Sequence, residues 1–144
     1  KAITLRYLSL QKNHFTGTLP TGWMHGKETF GQLFFVLLSE NHFAGMLPVE
    51  YLTFPDRLHV ESNAFSGSLS PNLPFIQKSL VLSDNHFQGT LFTLKEHITL
   101  DTVIASTNLL AGAIPDAYAT GKRARLTTLI LTGMVHQGSI PLSV

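Results

Sequence analysis

The amino-acid sequence predicts a β-rich α/β solenoid, a right-handed coil with a parallel sheet on its concave side and irregular or 3-10 backbone on its convex side. Three observations predict it. One string of side chains recurs six times at matching offsets, the copies are spaced 22 to 28 residues apart, and glycine and proline punctuate most copies at the same places.

The first copy runs Leu5, Leu8, Leu10, Asn13, Phe15, Gly17, Leu19, Pro20, and the second Leu33, Val36, Leu38, Asn41, Phe43, Gly45, Leu47, Pro48. The third holds Leu58, Val60, Asn63, Phe65, Gly67, Leu69, and the fourth Leu80, Leu82, Asn85, Phe87, Gly89, Leu91. The fifth has Leu100, Val103, Ala105, Asn108, Leu110, Gly112, Ile114, Pro115. The sixth is degenerate, with Leu126, Leu129, Leu131, Gly138, Ile140, Pro141 and Met134 in the asparagine position. The asparagine positions stand 28, 22, 22, 23 and 26 residues apart.

Each position has a physical reason. Two alternating aliphatics before the asparagine make a short strand, and stacking coils at about 4.8 Å merges such strands into a parallel sheet. The amides of Asn13, Asn41, Asn63, Asn85 and Asn108 can bond backbone groups where the chain leaves the strand, groups otherwise buried and unpaired. Phe15, Phe43, Phe65 and Phe87 should fill the broad side of each coil, one ring on the next. The glycine two residues later permits a bend that a side chain would hinder, and proline fixes the departure to the convex side. A single copy cannot bury its own face, so stability is collective.

Composition agrees. The 144 residues fit one domain, 1–144, of about six repeats; 44% are hydrophobic and 13% charged, which supplies a core and argues against disorder. The net charge of +1 and pI near 8.3 are too balanced for a general phosphate-backbone binder, so no nucleic-acid partner is expected. No cysteine is present, which removes disulfides, thiolate metal sites and cysteine nucleophiles. There is no glycosylation sequon, no apolar run near 18 residues and no signal-peptide pattern, so direct membrane insertion of this segment is not expected. Opening at Lys1 inside a repeat, the chain reads as a piece of a longer one.

The string Asn-x-Phe-x-Gly-x-Leu-Pro resembles the plant-specific class of leucine-rich repeats of plant receptor-like kinases and receptor-like proteins, over nearly the whole chain. The run Gly17 to Trp23 is a weaker likeness to repeats of kinetoplastid surface antigens. The resemblance implies an extracellular or cell-surface recognition module, although the cysteine pairs that cap secreted members are absent and a cytoplasmic location stays open. Ser70 and Phe92 replace the proline, Gln77 replaces a leading leucine and Ala105 thins a core position; flatter or looser packing is expected there.

Side chains between the core aliphatics should project from the concave sheet. The row six before the asparagine holds Tyr7, Phe35, Arg57, Ser79, Thr102 and Thr128. The row four before holds Ser9, Leu37, His59, Val81, Ile104 and Ile130, more apolar than solvent exposure requires; strand propensity alone would also favour it. The row two before, Gln11, Ser39, Glu61, Ser83, Ser106 and Thr132, could hydrogen-bond an extended peptide or glycan. Tyr7, Phe35, Leu37, Arg57, His59 and Glu61 form the preferred contact patch, in which Arg57 and Glu61 could equally be a solvated ion pair.

His14, His42 and His86 follow repeat asparagines, with Ala64 interrupting; an exposed variable position explains them more simply than a metal site, and no metal or cofactor is expected. The basic loop Gly121 to Arg125 and the long connection around Trp23, His25, Lys27 and Glu28 read as solvated insertions. No nucleophile elbow, phosphate loop, zinc helix or paired-acid cleft is present, so an enzyme is not expected. The expected function is recognition of a protein or peptide on the concave face. The alternative is a structural or adhesive array in contact with flanking repeats or with further copies of itself; neither end shows a polar cap, so flanking sequence or a partner is expected to cover them.

Overall fold

The computed structural model describes residues 5–21, 34–53, 55–69, 78–92, 99–115 and 126–134. Ser70, Gln77, Gly138 and the two insertions around Trp23 and Lys122 lie outside them.

The chain winds as a solenoid with two parallel sheets. Strands β1 (Tyr7–Ser9), β3 (Phe35–Leu37), β5 (Arg57–His59), β7 (Ser79–Val81), β9 (Thr102–Ile104) and β11 (Thr128–Ile130) form the first, in that spatial order. They pair in register, Leu8 against Val36, then Leu58, Leu80, Val103 and Leu129. Equivalent positions are thus neighbours, which is how the alternation of the sequence becomes rows on a sheet.

The second sheet is a finding that the sequence did not announce. The stretch around each Phe-x-Gly forms strands β2 (Thr16–Gly17), β4 (His42–Met46), β6 (Ala64–Ser68), β8 (His86–Thr90) and β10 (Leu109–Ala111), also all parallel. Here the register is offset by two residues per coil, Gly45 opposite Phe65 and Gly67 opposite Phe87. The glycines bend as expected, with φ between 82° and 90° from Gly17 to Gly112. The expected 3-10 backbone appears at Thr21 after Pro20 and at Val49–Leu52 after Pro48. Its Tyr51 is buried and donates its hydroxyl to the Pro20 carbonyl of the preceding coil at 3.2 Å.

Between the sheets lies one core. Val36, Leu58, Leu80 and Val103 are completely buried, as are Val60, Leu82 and Ala105. The phenylalanines stack face to face, with centroids 5.9, 6.1 and 6.3 Å apart from Phe15 through Phe87. Full burial of each such side chain contributes roughly 1.5–3 kcal/mol. Phe92 corrects the expectation of looser packing, because the ring that replaces a proline is itself fully buried in the core.

The asparagines bind coil to coil. Asn85 accepts the Phe65 N–H at 2.9 Å and donates to Val60, Leu82 and Ser83 carbonyls, and Asn41, Asn63 and Asn108 repeat the pattern. Asn13 is exposed and donates only within its own coil, to the Leu10 and Gln11 carbonyls. Immediately before each asparagine the backbone is left-handed: Lys12, Glu40, Ser62, Asp84 and Thr107 have φ between 53° and 57°. Before Met134 the same place is taken by Gly133, at φ 66°.

Candidate binding face

Because β1 to β11 alternate, the core rows point inward and the rows between them look out from the six-stranded sheet. The row six before the asparagine begins as a contiguous aromatic and cationic cluster. The Tyr7 and Phe35 rings meet at 5.6 Å with a 41° tilt, and the Arg57 guanidinium carbon lies 5.3 Å from the Phe35 ring centroid, within cation–π range. Tyr7 is 55% exposed and Arg57 is exposed too.

This placement corrects one expectation. Arg57 does not pair with Glu61; it stacks on Phe35, while Glu61 turns one carboxylate oxygen, Oε2, into a buried position without a hydrogen-bond partner. The row two before the asparagine is also less available than expected. Ser39 is 3% exposed with its hydroxyl covered, and Ser106 is buried, accepting from the Thr132 N–H at 3.1 Å and its hydroxyl at 2.8 Å. A residue two positions past the strand has already begun to turn inward, which spacing by twos cannot reveal. Gln11 is half-buried at the edge of that row.

The row four before the asparagine is presented. Leu37, His59, Val81 and Ile104 are half-buried, and Ser9 and Ile130 are exposed at its ends. His59 sets its Nε2 3.2 Å from the Ser79 hydroxyl oxygen across the strands. Burial pushes its pKa below the ordinary histidine value, with Glu61 opposing and Arg57 adding to the shift. The histidine is therefore kept neutral more strongly than in water.

Two residues missed by the sequence reading adjoin the cluster. Arg6 lies 5.8 Å over the Phe34 ring, and Phe34 is 43% exposed. Both occupy the position seven before the asparagine, a row that core spacing gave no reason to inspect. Among the described residues, no group of three or more His, Cys, Asp or Glu is placed to hold a metal ion, and no helix is long and apolar enough to cross a membrane.

Known proteins share this architecture. A family model described as Leucine Rich Repeat matches residues 4–25. The ectodomain of the Arabidopsis receptor kinase HAESA, solved with the peptide hormone IDA and the co-receptor SERK1, superposes with TM-score 0.79 at 25% identity, over 95% of this chain and 23% of that one. The fold is the parallel-sheet coil of leucine-rich repeats. The ectodomain of the receptor kinase GASSHO1/SCHENGEN3 from Arabidopsis thaliana, solved with CASPARIAN STRIP INTEGRITY FACTOR 2, gives TM-score 0.78 at 27% identity, over 96% of the solenoid and 17% of that chain. The ectodomain of SOBIR1 from Arabidopsis thaliana, at 23% identity, shares the fold with TM-score 0.68, over 91% of the solenoid and 72% of its own chain. The solenoid spans less than a quarter of the HAESA and GASSHO1 chains. No curated protein sequence matches it.

Proposed function

We propose that this solenoid is a recognition module that holds an extended protein or peptide segment across the outward side of its six-stranded sheet, taken as the concave face, as part of an extracellular or cell-surface protein. One observation carries the reading: Tyr7, Phe35 and Arg57 from three adjacent coils form a single aromatic and cationic cluster, in which a half-buried Phe35 sits between the exposed Tyr7 and Arg57. Aromatic and arginine side chains held by neighbours lose little entropy on binding and are typical anchors. Beside it, Leu37, Val81, Ile104 and Ile130 offer apolar contact along the stacking direction, while His59 supplies a donor or acceptor. Ser9, Gln11 and Glu61 border this path. The solved HAESA and GASSHO1 complexes lend support, since each holds a ligand on an ectodomain of the same fold.

Selection of a displayed random-peptide library on the purified chain tests the reading. Enriched peptides should bind Phe35→Ala or Arg57→Ala at least tenfold more weakly. Failure to enrich, or affinities within twofold for both variants, would overturn it.

A structural array is the second reading, favoured by the in-register pairing of equivalent strands from coil to coil. A clean monomer in light scattering would count against self-association.

A further inference from the structure

His14 and His42 lie on adjacent coils, at the exposed edge of the second sheet, and their rings meet at 5.6 Å with a 76° interplanar angle. We propose that this pair is a divalent transition-metal site, open to water, that clamps the coil of β1 and β2 to the coil of β3 and β4. The geometry points to it. With metal–nitrogen bonds of about 2.0–2.1 Å, an imidazole centroid sits roughly 3.2 Å from a bound zinc ion, so two rings at the tetrahedral angle stand about 5.2 Å apart. The separation in the solenoid, 5.6 Å, is within a few tenths of an ångström of that spacing, so a small turn of either ring suffices to share an ion. Rings can rotate about the metal–nitrogen bond, so the interplanar angle sets no obstacle.

The backbone beneath the pair is held from both sides. The Phe15 N–H, one residue past His14, donates to the Asn41 side-chain oxygen at 3.1 Å, and the His42 N–H donates to the Phe15 carbonyl at 2.8 Å. The Phe15 and Phe43 rings stack behind it at 5.9 Å. The backbone that carries the two ligands is therefore held before any ion arrives, and both rings are exposed, so they can turn toward a shared ion and water can complete the coordination sphere. Imidazole donors suit zinc, nickel and copper. Lys12 and Glu40, each two residues before one of the histidines, pair with each other at 3.6 Å, which offsets the repulsion a lone lysine would exert.

His86 provides an internal control. It occupies the same repeat position, yet Ala64 fills the neighbouring coil, so it has no histidine beside it.

Zinc titration of the chain by calorimetry, free of affinity tags and near neutral pH, tests the proposal. A one-to-one site should be weakened at least tenfold in His14→Ala and in His42→Ala, and unchanged in His86→Ala. Zinc should also slow amide exchange in residues 7–17, and acidification should release it as protons compete for the ring nitrogens. All three side chains are exposed, so the substitutions leave the fold intact. No measurable site, affinity kept within twofold in both variants, or equal loss in His86→Ala would each overturn the assignment.

Discussion

Replacement of Asn85 by alanine strips a buried junction between coils. Its side-chain oxygen receives the N–H of Phe65, a residue with no exposed surface, and its amide nitrogen donates to Val60, Leu82 and Ser83 carbonyls at 2.9–3.1 Å. Leaving the Phe65 N–H buried without an acceptor costs about 1–3 kcal/mol, and the two lost N–H donors add about 1 kcal/mol each, for a total of roughly 3–5 kcal/mol. That is a large fraction of the 5–15 kcal/mol typical of a folded domain, so the variant should be close to unfolding near room temperature. Asn13→Ala supplies the comparison. Its amide is exposed and reaches only its own coil, where water can replace it, so the loss should stay under about 1 kcal/mol. Urea unfolding of both variants, followed by circular dichroism, measures the difference from the midpoints. Equal destabilisation would refute the claim that the ladder acts by joining neighbouring coils.

Two further outcomes follow from named residues. Thr107 is β-branched and exposed at φ 53°, where Asn is better tolerated, so Thr107→Asn should stabilise the solenoid by about 0.5–1 kcal/mol in the same urea assay. The Tyr51 pKa is pushed up to about 12 by burial, with Glu50 adding to the shift. The folded state therefore holds the phenol proton more tightly than the unfolded one, and the stabilisation is fully present below about pH 10 and lost as pH rises toward 12. The urea midpoint of the wild type should fall relative to that of Tyr51→Phe between pH 10 and 12, and parallel profiles would contradict the assignment.

Much of this architecture could be read from residue spacing, because equal offsets become equal positions when coils stack. The rows through Leu58 and Val60, the Phe15 to Phe87 stack and the asparagine file all follow from that rule. Three features did not. The second sheet escaped notice because strands of two to five residues around glycine carry no alternating pattern. The left-handed residues before the asparagines include Lys, Glu, Ser, Asp and Thr, a mixture without a compositional signature; Gly133 in the weakest copy was the one hint. At the candidate face, spacing placed Phe35, Arg57 and His59 side by side. It could not foresee that Arg57 would choose the ring of Phe35 over the carboxylate of Glu61, since both lie within a flexible side chain's reach.

The two-residue offset of the second sheet has an evolutionary corollary. Above each glycine from Gly45 to Gly112 rides a side chain of the preceding coil: a methyl added at Gly45 would stand 2.9 Å from Thr18 Cγ2, and one at Gly67 3.0 Å from Met46 Cγ. A side chain at Gly45 or Gly67 would press on its neighbour in the preceding coil and strain the left-handed backbone, whereas at Gly89 the nearest atom, Ser68 Cβ, would stand at an ordinary 3.4 Å. A further copy of the repeat would carry its glycine in the same phase, so each added coil would meet the side chain of the coil before it with no Cβ at the crowded place.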